Sequence, residues 1–324
     1  MGITLYKNAD WILTVNEKRE KFRHGDLLIS GKEILDVGND LEKKYAGKLQ
    51  IDKTIDAKGT VILPGFVNIH HHTWQSLIRN IQATRGLKLE PWLTVMYEIY
   101  KDLNTDVARA GVYSGLGDML KTGCTTSNDL WYPHPVGVKY LVDAEIQAAA
   151  EIGIRFHPTR GFHSVPSDIV PPEVVDTKES VTEDTIRLVK KYHDRSRFSM
   201  CQVGIAPSIA QYETEDIIEA VVDLAEEYDI MVHGHLAESQ HEVEYTLKTW
   251  GCRPFEWFKR HRLLGKRFYF AHCIHLNEEE IEQMAETETG VAHCPISNML
   301  LSSGACPVPS YLKHGLTRIG LGVD

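Results

Sequence analysis

Two histidines spaced i, i+2 close the run Pro64-Gly65-Phe66-Val67-Asn68-Ile69-His70-His71-His72. The run reads as a buried apolar strand, and side chains two apart on a strand share a face, so His70 and His72 can grip one cation. A histidine-rich turn without metal gives the same local pattern, but this pair is not isolated. His235-Leu236-Ala237-Glu238 follows a second apolar run, Ala271-His272 ends a third and Gly320-Leu321-Gly322-Val323-Asp324 ends a fourth. A hydrolytic zinc site uses nitrogen and oxygen donors and keeps a position for water; His70, His72, His235 and Asp324 supply four such donors. Three imidazoles among them disfavour Mg²⁺ and Ca²⁺, whereas Zn²⁺ and Fe²⁺ both fit.

Polar residues so far apart in the chain must be gathered by a repeating architecture. Residues 3–60 carry short alternating runs, with Gly31-Lys32 placed as a hairpin turn, and read as a small β unit. From Val61 the rhythm changes to short apolar strands followed by segments of helical period. Strands are expected at 61–69, 125–129, 155–158, 198–206, 230–235, 268–272, 290–293 and 318–323. Helices are expected near 105–120, 138–151, 181–192, 215–228, 241–249, 278–286 and 309–313, with Ser180 and Glu183 as a capping box. Eight strands alternating with helices predict a (β/α)8 TIM barrel, whose active site lies at the C-terminal strand ends, where the histidines and Asp324 fall. Residues 1–60 are expected to be the N-terminal part of a small β-sandwich domain and 61–324 the barrel. The chain stops directly after the eighth strand, which reads as a longer protein lacking its final helix and C-terminal tail.

The composition, 43% apolar over 324 residues with net charge -10, is that of an ordinary soluble globular enzyme and carries no nucleic-acid footprint. The six cysteines form no Cys-x-x-Cys and fall mostly in apolar runs, so buried free thiols and a cytoplasmic location are expected. No signal-peptide block or membrane-spanning segment is visible, and a homo-oligomer is the expected assembly.

The four blocks ending in His72, Glu238, Asn298 and Asp324, the third being His293-Cys294-Pro295-Ile296-Ser297-Asn298, resemble the amidohydrolase superfamily. They are most similar to its cytosine/guanine deaminase and triazine chlorohydrolase branch. The triple histidine followed by Thr73-Trp74-Gln75-Ser76-Leu77-Ile78-Arg79, with Arg160-Gly161 after the third strand, is most similar to 8-oxoguanine deaminases and their isoxanthopterin and hydroxyatrazine relatives. The loop Ala206-Pro207-Ser208-Ile209-Ala210-Gln211-Tyr212 departs from the oxoguanine pattern, which leaves the heterocycle open. The resemblance implies that His70, His72, His235 and Asp324 bind zinc and that Glu238 and His272 are catalytic. It also implies that Gln75 and Arg160 hold the amide edge and carbonyl of a small heterocyclic substrate. Binuclear relatives bridge two metals with a fourth-strand lysine; residues 198–206 contain none, so one metal is expected.

In this reading Asp324 takes a proton from the attacking water, Glu238 protonates a ring nitrogen and His272 donates a hydrogen bond to the attacking oxygen. Glu238 has the alternative of orienting His235, Arg160 of a structural ion pair, and Gln75 of a loop bond. Trp74 can stack on a planar ring or pack in the core. His71 is expected to be structural, Asp129 to bond a loop, and His293 and Asn298 to brace the seventh-strand loop. A cyclic-amide hydrolase and a catalytically silent scaffold are the competing readings.

Overall fold

The computed structural model describes residues 2–324, which divide into two compact units, residues 2–66 and Val67–Asp324. The first unit holds β1 (Ile3–Leu13), β2 (Lys21–Ser30), β3 (Glu33–Gly38), α1 (Leu41–Tyr45), β4 (Lys53–Asp56) and β5 (Val61–Ile62). They form one mixed sheet in the order β3-β2-β1-β4, with β5 also paired to β1. The β2–β3 hairpin pairs Ser30 with Glu33, and Gly31 supplies the positive φ that so short a turn demands.

The second unit is a parallel barrel of β6 (Phe66–Asn68), β7 (Cys124–Trp131), β8 (Arg155–Phe162), β9 (Gly204–Pro207), β10 (Val232–Leu236), β11 (Phe268–His272), β12 (Gly290–His293) and β13 (Ile319–Leu321). Closure comes from the Ile69 N–H donating to the Leu321 carbonyl at 3.0 Å and the Val323 N–H to that of His70 at 3.1 Å. Around it run α2 (Leu89–Tyr100), α3 (Thr105–Lys121), α4 (Leu141–Ile152), α5 (Lys178–Tyr192), α6 (Glu215–Tyr228), α7 (Gln240–Trp250), α8 (Pro254–Arg260), α9 (Glu278–Glu286), α10 (Pro295–Leu300) and α11 (Val308–Lys313). This is the expected TIM barrel. Helix α6 shows why the sequence folds so: Ile217, Ile218, Val221, Val222, Leu224 and Ala225 make one buried stripe. Each large member of that stripe contributes about 1.5–3 kcal/mol by leaving water.

Several boundaries differ from expectation. The run 61–69 is interrupted by Pro64 and Gly65, so that Val61–Ile62 pairs with Trp11 and Ile12 in the small sheet and the barrel strand begins at Phe66. The fourth strand is only Gly204–Pro207, because Phe198 takes φ 64° and turns the chain. Helix α5 is capped by Thr177, whose hydroxyl accepts the Ser180 N–H, not by Ser180. Helices α1, α2, α8 and α10 were absent from the sequence reading; the last two are short and begin at Pro254 and Pro295.

Candidate metal centre and active site

His70 and His72 leave the end of β6, His235 lies on β10, and Asp324 follows β13. One ligand atom from each of the four lies within 4.8 Å of the others. The hydrogen bonds of the rings fix their tautomers. His72 Nδ1–H donates to the Leu130 carbonyl at 2.7 Å, and His235 Nδ1–H to that of Ser208 at 2.6 Å. His233 Nδ1–H donates to the Tyr269 carbonyl at 2.9 Å, so its Nε2 accepts from His70 Nδ1–H at 2.7 Å. Burial pushes the pKa of His70 and of His235 well below the usual imidazole value, so both rings are neutral.

The three Nε2 atoms therefore converge, His72 and His235 at 3.3 Å from each other, with Asp324 Oδ1 at 3.0 Å from His70 Nε2 and 3.3 Å from His72 Nε2. Neutral His70 turns a buried Nε2 lone pair toward that carboxylate, which repels it, and this nitrogen has no hydrogen-bond partner. A divalent cation removes that repulsion, and an N,N,N,O donor set fits Zn²⁺ or Fe²⁺.

Glu238 and Asp324 are both buried, yet their environments act in opposite senses. Burial first, and the negative charge of Asp324 second, hold the Glu238 carboxyl well above the usual carboxylate range. Burial also pushes Asp324 up, but attraction to positive charge on the imidazole side, at His70 and His272 first, outweighs this and holds it well below; with His70 neutral, a bound cation is what supplies that charge. Carboxyls separated in this way can serve as proton donor and proton acceptor. His272 links them: Nδ1–H donates to Asn298 Oδ1 at 2.8 Å, while Nε2 lies 3.4 Å from Glu238 Oε2 and 3.6 Å from Asp324 Oδ2. With Nδ1–H committed to Asn298, Nε2 is the ring atom left to face both carboxyls.

The backbone here is unusual, with Ala237 at φ 48° and His272 at φ 69°, a conformation that non-glycine residues keep only where surrounding contacts impose it. The contacts around Ala237 are identifiable. Glu242 in α7 accepts the Ala237 and Glu238 N–H groups at 3.1 and 2.9 Å, while Ser239 caps the helix by accepting the Glu242 N–H.

His72, His235, Glu238 and Asp324 open onto a cavity of about 340 Å³ whose wall includes Gln75, Trp92, Tyr97, Tyr132 and His163. Gln75 reaches it, with Nε2 donating to Tyr100 at 3.0 Å. Trp74 does not: it is fully buried, its ring 4.5 Å from that of Trp131, so it is a core residue behind His72. Arg160 also lies elsewhere. Its guanidinium is buried between Asp176, bound at 2.9 and 3.0 Å, and Asp184 at 3.1 Å. The sequence reading ended the third strand at 158, but β8 runs to Phe162, and on that longer strand alternation turns Arg160 outward to α5 while His163 reaches the cavity. The expected outcome of Arg160→Ala is a stability loss of about 3–5 kcal/mol from the unpaired buried carboxylate. Chemical denaturation reads this directly, whereas a substrate contact would raise KM at unchanged stability.

The amidohydrolase family model matches residues 61–324. The chain belongs to the amidohydrolase family. An 8-oxoguanine deaminase of Pseudomonas aeruginosa is 35% identical over 272 residues, covering 83% of this chain and 60% of the relative. A 5-methylthioadenosine/S-adenosylhomocysteine deaminase of Bacillus cereus is 31% identical over 322 residues, covering 99% of this chain and 69% of the relative. The zinc-complexed atrazine chlorohydrolase of Arthrobacter aurescens superposes with a TM-score of 0.89 at 25% identity, over 98% of this chain and 71% of that one. The chain thus spans about three fifths of the Pseudomonas relative's length and about two thirds of the Bacillus one's.

Two parts of this amidohydrolase site went unread in the sequence. His233 shares with His235 the same i, i+2 spacing that drew attention to His70 and His72, so period-two alternation already placed it on the inner face. Gly234 between them is required, since a Cβ there would overlap the Pro207 carbonyl oxygen. The second part is a buried chain in which Tyr97 and His163 Nε2 share a 2.5 Å hydrogen bond and His163 Nδ1 lies 3.5 Å from Glu213. Tyr97 sits on the unforeseen α2, so no sequence signal linked it to the site. Because His233 fixes the tautomer and orientation of His70, His233→Ala is expected to weaken metal binding about 10–100-fold. Competition against a chelator of known affinity measures this.

Proposed function

We propose that the protein is a zinc-dependent hydrolytic deaminase of an amino-substituted oxo-heterocycle, releasing ammonia. The observation that carries this reading is the opposed pair Glu238 and Asp324, one favoured as the acid and the other as the carboxylate, in a cavity wall shared with His72 and His235 of the four-donor group. His70, His72, His235 and Asp324 hold the cation. When bound, it supplies Lewis acidity, bringing the pKa of a coordinated water down to about 7.

The chain's own residues account for the proton traffic. Glu238 delivers its proton to a ring nitrogen as water attacks the amino-bearing carbon, so negative charge does not accumulate in the ring. Asp324 accepts one proton from that water and passes it to the amine, which departs as ammonia, while the second water proton returns to Glu238 as the carbon becomes a lactam carbonyl. His272, its ring oriented by Asn298, places Nε2 between the two carboxyls, 3.4 Å from Glu238 Oε2 and 3.6 Å from Asp324 Oδ2. Gln75 supplies a donor and an acceptor for a lactam edge. With Arg160 committed to Asp176, the polar side chains on the cavity wall that remain for ring recognition include Arg79, Tyr97, Tyr132, His163 and Tyr212.

An 8-oxoguanine-like purine is the first choice of substrate, supported by the Pseudomonas relative; isoxanthopterin or a hydroxylated s-triazine is the alternative. Among the described residues no helix is long and apolar enough to cross a membrane, and all six cysteines are free thiols, four of them buried; both are compatible with a cytoplasmic enzyme. The test is ammonia release by the zinc-loaded full-length protein across 8-oxoguanine, guanine, isoxanthopterin, cytosine, 5-methylthioadenosine and hydroxylated triazines. Preference for 8-oxoguanine or isoxanthopterin is the expected result. Silence across the panel with zinc bound would remove the deaminase reading.

A further inference from the structure

Asp324 presents its two carboxylate oxygens to different neighbours. Oδ1 faces His70 and His72, whereas Oδ2 faces His272 Nε2 at 3.6 Å. On that second side lies Cys294, fully buried at the start of α10, and ligand atoms from His272, Cys294 and Asp324 all fall within 4.8 Å of one another. The Cys294 thiol donates weakly to the Ala292 carbonyl at 3.6 Å and also meets the His272 backbone. It can sit there because residue 322 is glycine: a Cβ at Gly322 would stand 2.8 Å from the Cys294 sulfur and 2.7 Å from the His70 Cβ. His272 Nδ1–H is committed to Asn298, which leaves the Nε2 lone pair facing the group, and Glu238 Oε2 borders it at 3.4 Å from that nitrogen.

We propose that His272, Cys294 and Asp324 form a second cation site, distinct in chemistry from the first, which takes a thiophilic divalent ion and shares Asp324 with the catalytic centre. The donor set is one sulfur, one imidazole nitrogen and one carboxylate oxygen. Thiolate selects soft ions, so excess Zn²⁺ and Cd²⁺ enter while Mg²⁺ and Ca²⁺ do not. Binding exchanges the thiol proton for the ion, and one proton leaves to solvent per ion bound. An ion held there occupies His272 Nε2 and Asp324 Oδ2, the atoms that face Glu238 and the substrate, so occupancy blocks turnover. The site is therefore inhibitory.

Titration with Cd²⁺ of the full-length protein carrying one equivalent of Zn²⁺ tests this without reference to any substrate. One further equivalent is expected to bind with zinc retained, producing ultraviolet sulfur-to-cadmium charge-transfer absorption. That absorption is expected to disappear in Cys294→Ala and in Cys294→Ser, both keeping their single zinc. The pair guards against one variant failing to fold. No further cadmium uptake by the wild type, displacement of the zinc without charge-transfer absorption, or absorption undiminished in either folded variant would overturn the proposal.

Discussion

Replacing Glu238 by Gln is expected to lower kcat about 10²–10⁴-fold, the usual contribution of a positioned acid, while leaving metal content unchanged. The substitution keeps the size and polarity of the side chain and removes only the transferable proton. The carboxyl is 4% exposed and lies 3.3 Å from the Ser303 hydroxyl, a contact that glutamine can retain. Neither oxygen of Glu238 belongs to the four-donor group, so the cation stays. In the wild type, kcat should fall in alkali as Glu238 loses its proton, starting well above the usual carboxylate range. The variant should lose that alkaline limb. Retained metal with near-normal turnover would take Glu238 out of the mechanism, whereas loss of metal would make it a brace for His235.

The second large effect is expected at Asp324. Asp324→Asn removes a charged donor and the proton acceptor together, so turnover should fall by about 10⁴-fold or more and metal should be lost with it. The two variants thus separate the roles: Glu238→Gln leaves a loaded, slow protein, and Asp324→Asn an unloaded one. Paired metal analysis and steady-state kinetics distinguish them. Metal retained at full occupancy by Asp324→Asn would contradict the ligand assignment.

The strand ends were legible because a buried β-strand has a period of two, so a pattern such as His70-His71-His72 declares which side chains share a face. The same rule failed at Arg160 for want of a boundary: four further residues of strand reverse the side on which a residue was expected, and the guanidinium meets Asp176 rather than the cavity. Trp74 was misplaced for a different reason. A short 3₁₀ segment at Thr73–Leu77 carries it inward against Trp131, and nothing in the local sequence encodes that turn. The ring tautomers were equally illegible, because they depend on carbonyls of Leu130, Ser208 and Tyr269 contributed by three other strands or loops. His233 was within reach of the alternation argument, and its significance emerged only when the His70 contact was seen. Asn298, expected to brace a loop, instead orients His272.

The most direct test of the account is ammonia release from the best heterocycle, measured on metal-free full-length protein as Zn²⁺ is added in fractions of an equivalent. One mononuclear hydrolytic centre predicts no release without metal, a linear rise to one ion per chain, and no further gain beyond it. Substantial release from metal-free protein, or activity that climbs until two ions are bound, would contradict a single-cation deaminase built on His70, His72, His235 and Asp324.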